Sequence, residues 1–218
     1  MGGSQMSVLI VAGGPDPGAG LIRKMASGAE RIYCADRGAQ WVYHAGLKPD
    51  IAIGDMDSVN RETLEKIRQD EISMLKYPSE KDQTDTELAI EVAVSDGAKS
   101  IILLGGLGGR MDHTLANIEQ MKAWYKKGIR ITIMSADTAM FIAERTVTFR
   151  AMRGSYVSLF PQNEGIRVMN SEGLYYPLKD VILPTDTTLC ISNQMTPDHV
   201  IMDIRNGAVL IVVTANAD

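Results

Sequence analysis

Short continuous apolar runs alternate with helix-like stretches through the first half of the chain, and short period-two runs replace them in the second. Val8-Leu9-Ile10-Val11 closes on Gly13-Gly14-Pro15 and predicts a strand entering a turn. Leu21, Ile22 and Met25 predict a helix, Arg31 to Ala35 a second strand, and Ala39, Trp41, Val42 and Ala45 a helix stopped by Gly46. Ile51-Ala52-Ile53 predicts a third strand that ends at an acidic phrase. Thr84-Asp85-Thr86-Glu87 has the form of a capping box and opens a helix running to Gly97. Ile101 to Leu104 reads as a strand buried on both faces. A glycine loop, a helix through Leu115, Ile118 and Trp124, and a strand from Ile129 to Met134 follow. This βα alternation predicts an α/β domain over residues 1–136 with a mostly parallel sheet.

Beyond Ala136 the runs shorten. Val147-Thr148-Phe149, Tyr156 to Phe160, Ile166 to Val168, Thr188 to Ile191 and Val200 to Ile204 predict strands separated by Gly, Pro, Asn and Asp. Asn206-Gly207 predicts a type I′ hairpin before the last run. Residues 137–218 therefore read as an all-β domain. Of the adjacent tyrosines Tyr175 and Tyr176, one ring is expected in the core, because neighbours in a strand face opposite ways.

Composition narrows the function classes. The 218 residues are 45% hydrophobic and 22% charged, the balance of a globular protein. A net charge of −5 without a basic run argues against a nucleic-acid partner. No apolar stretch approaches the ~20 residues of a membrane span, so a cytoplasmic location is expected. Cys34 and Cys190 are too far apart in sequence for zinc spacing and predict buried thiols in a reducing compartment.

Three phrases between Gly54 and Asn117 carry the chemistry: Gly54-Asp55-Met56-Asp57-Ser58, Lys81-Asp82-Gln83-Thr84-Asp85, and Gly105-Gly106-Leu107-Gly108-Gly109-Arg110-Met111-Asp112-His113. Asp55 and Asp57 sit two apart at a strand end, where they either share a cation or form a polar turn. Asp82 and Asp85 flank a helix start, where capping is the simpler role and phosphate binding the competing one. Lys81 either meets a phosphate or balances Glu80. The glycine stretch permits the backbone to wrap an anion, and Arg110 adds a planar fork for phosphate oxygens. It is neither a Walker A loop nor a dinucleotide fingerprint. His113 reads as a base or as a capping residue. Together the phrases point to an enzyme acting on a nucleotide with magnesium.

Set beside Ala35-Asp36-Arg37-Gly38-Ala39, Pro49-Asp50, Asn117, Gly173-Leu174-Tyr175-Tyr176-Pro177-Leu178 and Ser192-Asn193, these phrases resemble the thiamine pyrophosphokinase family from about Ala12 to Val212. The resemblance implies an α/β domain binding ATP and Mg2+, and a C-terminal β-sandwich binding thiamine. It implies a homodimer with sites at the subunit interface and transfer of pyrophosphate from ATP to thiamine, releasing AMP. By the same resemblance Asp55, Asp57 and Asp85 are metal ligands, and Asp36, Lys81, Thr84, Gly109, Arg110 and Asp112 form the nucleotide and phosphate site. Tyr176, Ser192 and Asn193 would contact thiamine. Catalysis would rest on Asp55, Asp57, Asp82, Asp85 and Arg110, with Asp85 or Asp82 as any general base. The sequence departs from the family pattern at Arg37, where Gly is usual, at Gln40, where Asn is usual, and at Tyr176, often Trp. Two other readings compete: a haloacid-dehalogenase-like phosphatase with Asp55 as nucleophile, and a nucleotide sensor without catalysis.

Overall fold

The computed structural model describes residues 6–78, 80, 82–186 and 188–216. Two compact units divide between Ala136 and Asp137. The first contains β1 (Ser7–Val11), α1 (Ala19–Ala26), β2 (Arg31–Ala35), α2 (Gly38–His44), β3 (Ile51–Gly54), α3 (Arg61–Gln69), β4 (Ser73–Lys76), α4 (Asp85–Ser95), β5 (Ser100–Leu104), α5 (Met111–Lys126) and β6 (Arg130–Met134). Its strands are parallel in the order β6-β5-β1-β2-β3-β4. The chain builds outward from β1 to β4, then crosses back to place β5 on the other side of β1. That reversal is a topological switch point, and the crevice beyond the carboxyl ends of β1 and β5 is where such sheets bind ligands. Val8, Leu9, Ile10, Val11, Leu103 and Leu104 are fully buried, as central parallel strands require.

Helix α3 and strand β4 were not expected from the apolar pattern. Asn60 nonetheless caps α3 by accepting from the Thr63 N–H at 2.8 Å. Leu64 and Ile67 supply its short apolar stripe, and Ile67 is fully buried. β4 is an edge strand whose four residues are at most half-buried, so it lacks an apolar signature.

The second unit is a β-sandwich of β7 (Thr138–Arg150), β8 (Tyr156–Pro161), β9 (Arg167–Glu172), β10 (Lys179–Ile182), β11 (Asn193–Gln194) and β12 (His199–Thr214). Asn206-Gly207 does not turn a hairpin. The residues on both sides of it pair antiparallel with the same strand, β7, so β12 continues in one direction. Ile204 faces Arg145 and Val209 faces Ala143, which leaves residues 205–208 against Glu144 alone. Three extra residues reverse the alternation: Val200, Met202 and Ile204 are buried before the bulge, and Val209, Ile211 and Val213 after it. The core face is thereby kept inward while β12 passes from β9 to β8 as its second neighbour. The run Thr188 to Ile191, expected as a strand, is turn and bend; pairing with β8 begins at Asn193.

Gly207 has φ +147°, and a Cβ there would collide with the Asn163 amide. That amide is itself held by the carbonyls of Glu164 and Asn206 at 2.8 and 3.0 Å. Gly207→Ala should therefore lower unfolding stability by about 1–3 kcal/mol. Urea denaturation checks this, and an unchanged midpoint would show that the bulge tolerates a side chain.

Candidate active site

A cavity of about 570 Å3 opens at the switch point, lined by residues that follow β1, β2 and β5 and by the start of α4. Its floor is backbone. A Cβ on Gly14 would overlap the Gly105 carbonyl oxygen, and one on Gly38 would overlap the Val11 carbonyl oxygen. Only glycine permits these approaches.

One wall is the loop from Gly105 to Arg110. It is pinned from inside by two buried residues of α5. Asn117 Nδ2 donates to the Gly106 carbonyl at 2.9 Å, and the Gly108 N–H donates to Thr114 Oγ1 at 3.2 Å. Thr114 was not singled out from the sequence; its position four residues after the glycine run's arginine was the available signal. The facing wall is Gly13-Gly14. Arg37 Nε and Nη2 donate to the Gly13 carbonyl at 3.1 and 2.7 Å, and Trp41 Nε1 donates to the Gly14 carbonyl at 3.3 Å. Gln40, the other departure from the expected pattern, is buried and accepts the Asn60 N–H at 3.1 Å, anchoring the far end of the acidic loop after β3.

The acidic edge gathers around Asp36, a half-buried residue with φ 48°. Burial, a hydrogen bond with Asp85, and the charges of Asp85 and Asp55 push its carboxyl from 3.8 up to about 7; the Met56 N–H opposes this. Asp85, the first residue of α4, lines the same cavity, and Thr84 caps that helix by accepting the Glu87 N–H at 3.1 Å. Asp55 Oδ1 accepts the Asp57 N–H at 3.0 Å in an Asx turn, so the polar-turn role is realised there. Asp57 and Asp82 are exposed, and neither lines the cavity. Lys81 lies outside the described residues. Among the described residues, no three His, Cys, Asp or Glu side chains are set to enclose a metal ion. Magnesium does not require such a cage, since it keeps several waters and is held by one or two carboxylates plus substrate phosphates.

Arg110 and Gly109 line the cavity at the start of α5. Arg110 is exposed and paired with Asp112 through Nε–Oδ1 at 3.1 Å and Nη2–Oδ2 at 2.5 Å. The guanidinium holds the Asp112 carboxyl down at about 2, with help from the His113 N–H. His113 and Ser58 also line the cavity.

In the β-sandwich, Tyr175 and Tyr176 are 61% and 67% exposed and meet edge to face at 4.9 Å. Neither is core, contrary to expectation, because the segment is a bend and its rings escape strand alternation. Asn193 is buried, and its side chain is occupied by backbone. Its Oδ1 accepts the N–H groups of Tyr176 and Gln194 at 3.1 and 2.9 Å, and its Nδ2 donates to the Tyr176 carbonyl at 2.8 Å. Ser192 is exposed with φ 57°, its N–H donating to Ser158 Oγ at 3.0 Å.

Residues 22–133 match the model of the thiamin pyrophosphokinase catalytic domain, and residues 144–209 that of the thiamin pyrophosphokinase vitamin B1 binding domain. The chain belongs to the thiamin pyrophosphokinase family. Thiamine pyrophosphokinase of Bacillus subtilis is 28% identical over 211 residues, covering 94% of this chain and 97% of that protein. The crystal structure of a thiamine pyrophosphokinase from Bacillus subtilis superposes with a TM-score of 0.82 at 26% identity, over 96% of this chain and 99% of that one. That of the Geobacillus thermodenitrificans thiamin pyrophosphokinase gives 0.81 at 26% identity, over 98% and 99%. Family membership sets aside the phosphatase and sensor readings.

The Asp36 carboxyl has a measurable consequence in chelator-treated protein. A raised pKa means that the folded state holds this proton more tightly than the unfolded one. Its contribution to stability is full below about 3.8 and is lost as pH rises toward about 7. Asp36→Asn should flatten that part of the stability profile. Denaturation midpoints at half-unit steps from pH 4 to 7.5 check this, and parallel profiles for variant and parent would place the strain elsewhere.

Proposed function

We infer that this chain transfers the pyrophosphoryl group of ATP to the hydroxyl of thiamine, giving thiamine diphosphate and AMP. The observation that carries this reading is the pairing of a glycine-walled, acid-edged cavity at a switch point with a second unit matching a vitamin B1 binding domain. The polyphosphate of ATP would lie over the floor where the loops after β1 and β5 meet, whose amides and the start of α5 favour anions. Arg110 exchanges its Asp112 partner for a phosphate oxygen and stabilises charge on the transferred group.

Mg2+ is the expected cofactor, held through Asp85 and Asp55, with Asp36 beside them and Asp57 on the same turn. It would offset phosphate charge that these carboxylates alone repel. Burial and a hydrogen bond with Asp85 do most to raise the Asp36 carboxyl, and the remaining part, from the charges of Asp85 and Asp55, is what a cation would relieve. Transfer through a loose transition state needs alignment and neutralisation more than proton abstraction, so Asp85 or Asp82 as base has a minor part. The exposed Tyr176 ring, its backbone clipped by Asn193, offers a face to the thiamine pyrimidine, with Ser192 beside it. The thiols of Cys34 and Cys190 suit a cytoplasmic enzyme.

Incubation with thiamine, ATP and magnesium should yield AMP and thiamine diphosphate in equal amounts. Stoichiometric ADP would reject pyrophosphoryl transfer, and nucleotide turnover independent of thiamine would reject the acceptor.

We further propose a homodimer in which the nucleotide half of each site meets the sandwich of the other subunit. Inactive Asp85→Asn and crippled Tyr176→Ala chains, unfolded and reannealed together, should then recover about one quarter of parental activity, since about half the dimers are mixed and each has one intact site. Activity at the mean of the two variants, with subunit exchange demonstrated by labelled chains, would place each site within one chain.

A further inference from the structure

The two walls of the cavity are held differently. The Gly105–Arg110 wall is fastened by α5 residues in its interior, whereas the Gly13-Gly14 wall is fastened from α2 by a pair of side chains four residues apart. The Arg37 guanidinium lies 5.5 Å from the centroid of the Trp41 ring, so each orients the other. Together they take both carbonyls of the glycine pair. In a trans peptide the N–H of one residue points away from the carbonyl of the residue before it. A fork clamped on the Gly13 carbonyl therefore fixes the direction of the Gly14 N–H, and Gly14 lines the cavity. Pro15 follows without an N–H, which leaves Gly14 as the last amide donor of this wall before Asp16.

We propose that Arg37, stacked on Trp41, is a positioning residue that aims the Gly14 amide at the nucleotide phosphates and so sets affinity for nucleotide rather than for thiamine. The proposal rests on the reading that this cavity takes the polyphosphate of ATP. Arg37 acts through the peptide it clamps, and its charge is secondary. Lysine in its place supplies the same charge but not two parallel bonds to one carbonyl.

Loss of a charged hydrogen-bonding group should weaken binding of a non-hydrolysable ATP analogue about tenfold or more in Arg37→Ala. The KM for ATP should rise in step, while the KM for thiamine stays within about twofold of the parent. Arg37→Lys should remain close to Arg37→Ala. Trp41→Phe keeps a ring under the guanidinium but loses the indole donor, so it should show a smaller loss in the same direction. The 15N order parameter of the Gly14 amide, measured without nucleotide, should fall in Arg37→Ala from about 0.85 toward about 0.6. This readout does not depend on activity. Full recovery of nucleotide affinity in Arg37→Lys would make the residue a charge donor and overturn the proposal. An unchanged Gly14 order parameter, or equal losses for ATP and thiamine, would also overturn it. If the wild-type chain failed to bind nucleotide at all, the reading of the cavity would fall, and the Gly14 measurement would still judge the clamp.

Discussion

No side chain fits between the end of β1 and the loops that follow β2 and β5. Gly38 stands against the Val11 carbonyl, and Gly14 stands against the carbonyl of Gly105. These approaches bring the backbone of the three segments into direct contact. They also tie the charged residues around the cavity to the most buried strands of the sheet, whose positions are the least free to drift. A loop at a sheet edge would have no such reference. The acidic residues after β2 and β3, the cap of α4 and the arginine opening α5 are all placed relative to that floor.

Charge is distributed unequally around the cavity, acidic on one side and carried by an arginine on the other. On the acidic side, burial, a hydrogen bond with Asp85 and the charges of Asp85 and Asp55 together raise the Asp36 carboxyl. On the other side, Arg110 and Asp112 satisfy each other at the surface, where solvent makes the pair cheap to separate. The metal-bound polyphosphate proposed for this cavity would meet both conditions at once. Its cation would relieve the carboxylates, and its phosphate would compete for the guanidinium. On the proposed function, preference for a metal-bound nucleotide over the bare anion would follow from the acidic edge, which repels uncompensated phosphate.

The sequence made this site legible where chemistry and local geometry coincide. Glycine runs after apolar strands, a threonine cap and carboxylates at strand ends are recognisable because each answers a backbone requirement that acts over a few residues. What stayed hidden depends on distant partners. Helix α3 is written mainly in charged residues, and its short stripe of Leu64 and Ile67 matters only because a sheet lies beneath it. Asn206-Gly207 has the dihedral freedom of a hairpin, but the choice between turning and bulging is made by β7, which pairs with both flanks. In the sequence Arg37 is only a departure from a glycine usual in the family. Its part emerges once the chain brings Gly13 and Trp41 beside it.

Asn193 shows why residue type alone does not assign a role. Its amide could serve a ligand, yet three bonds to backbone account for it, two of them to Tyr176. An exposed tyrosine on an irregular segment would ordinarily sample several positions and lose entropy on stacking against a ligand. Held at both its N–H and its carbonyl, Tyr176 has a fixed backbone and only its side-chain torsions left to settle, with Tyr175 limiting those from one side. In the proposed thiamine contact, the buried asparagine would act on affinity by lowering the ordering cost of the ring. On that argument its replacement by aspartate, which accepts but does not donate, would be more harmful than its burial alone suggests. The Tyr176 carbonyl would then face a carboxylate in place of an amide donor.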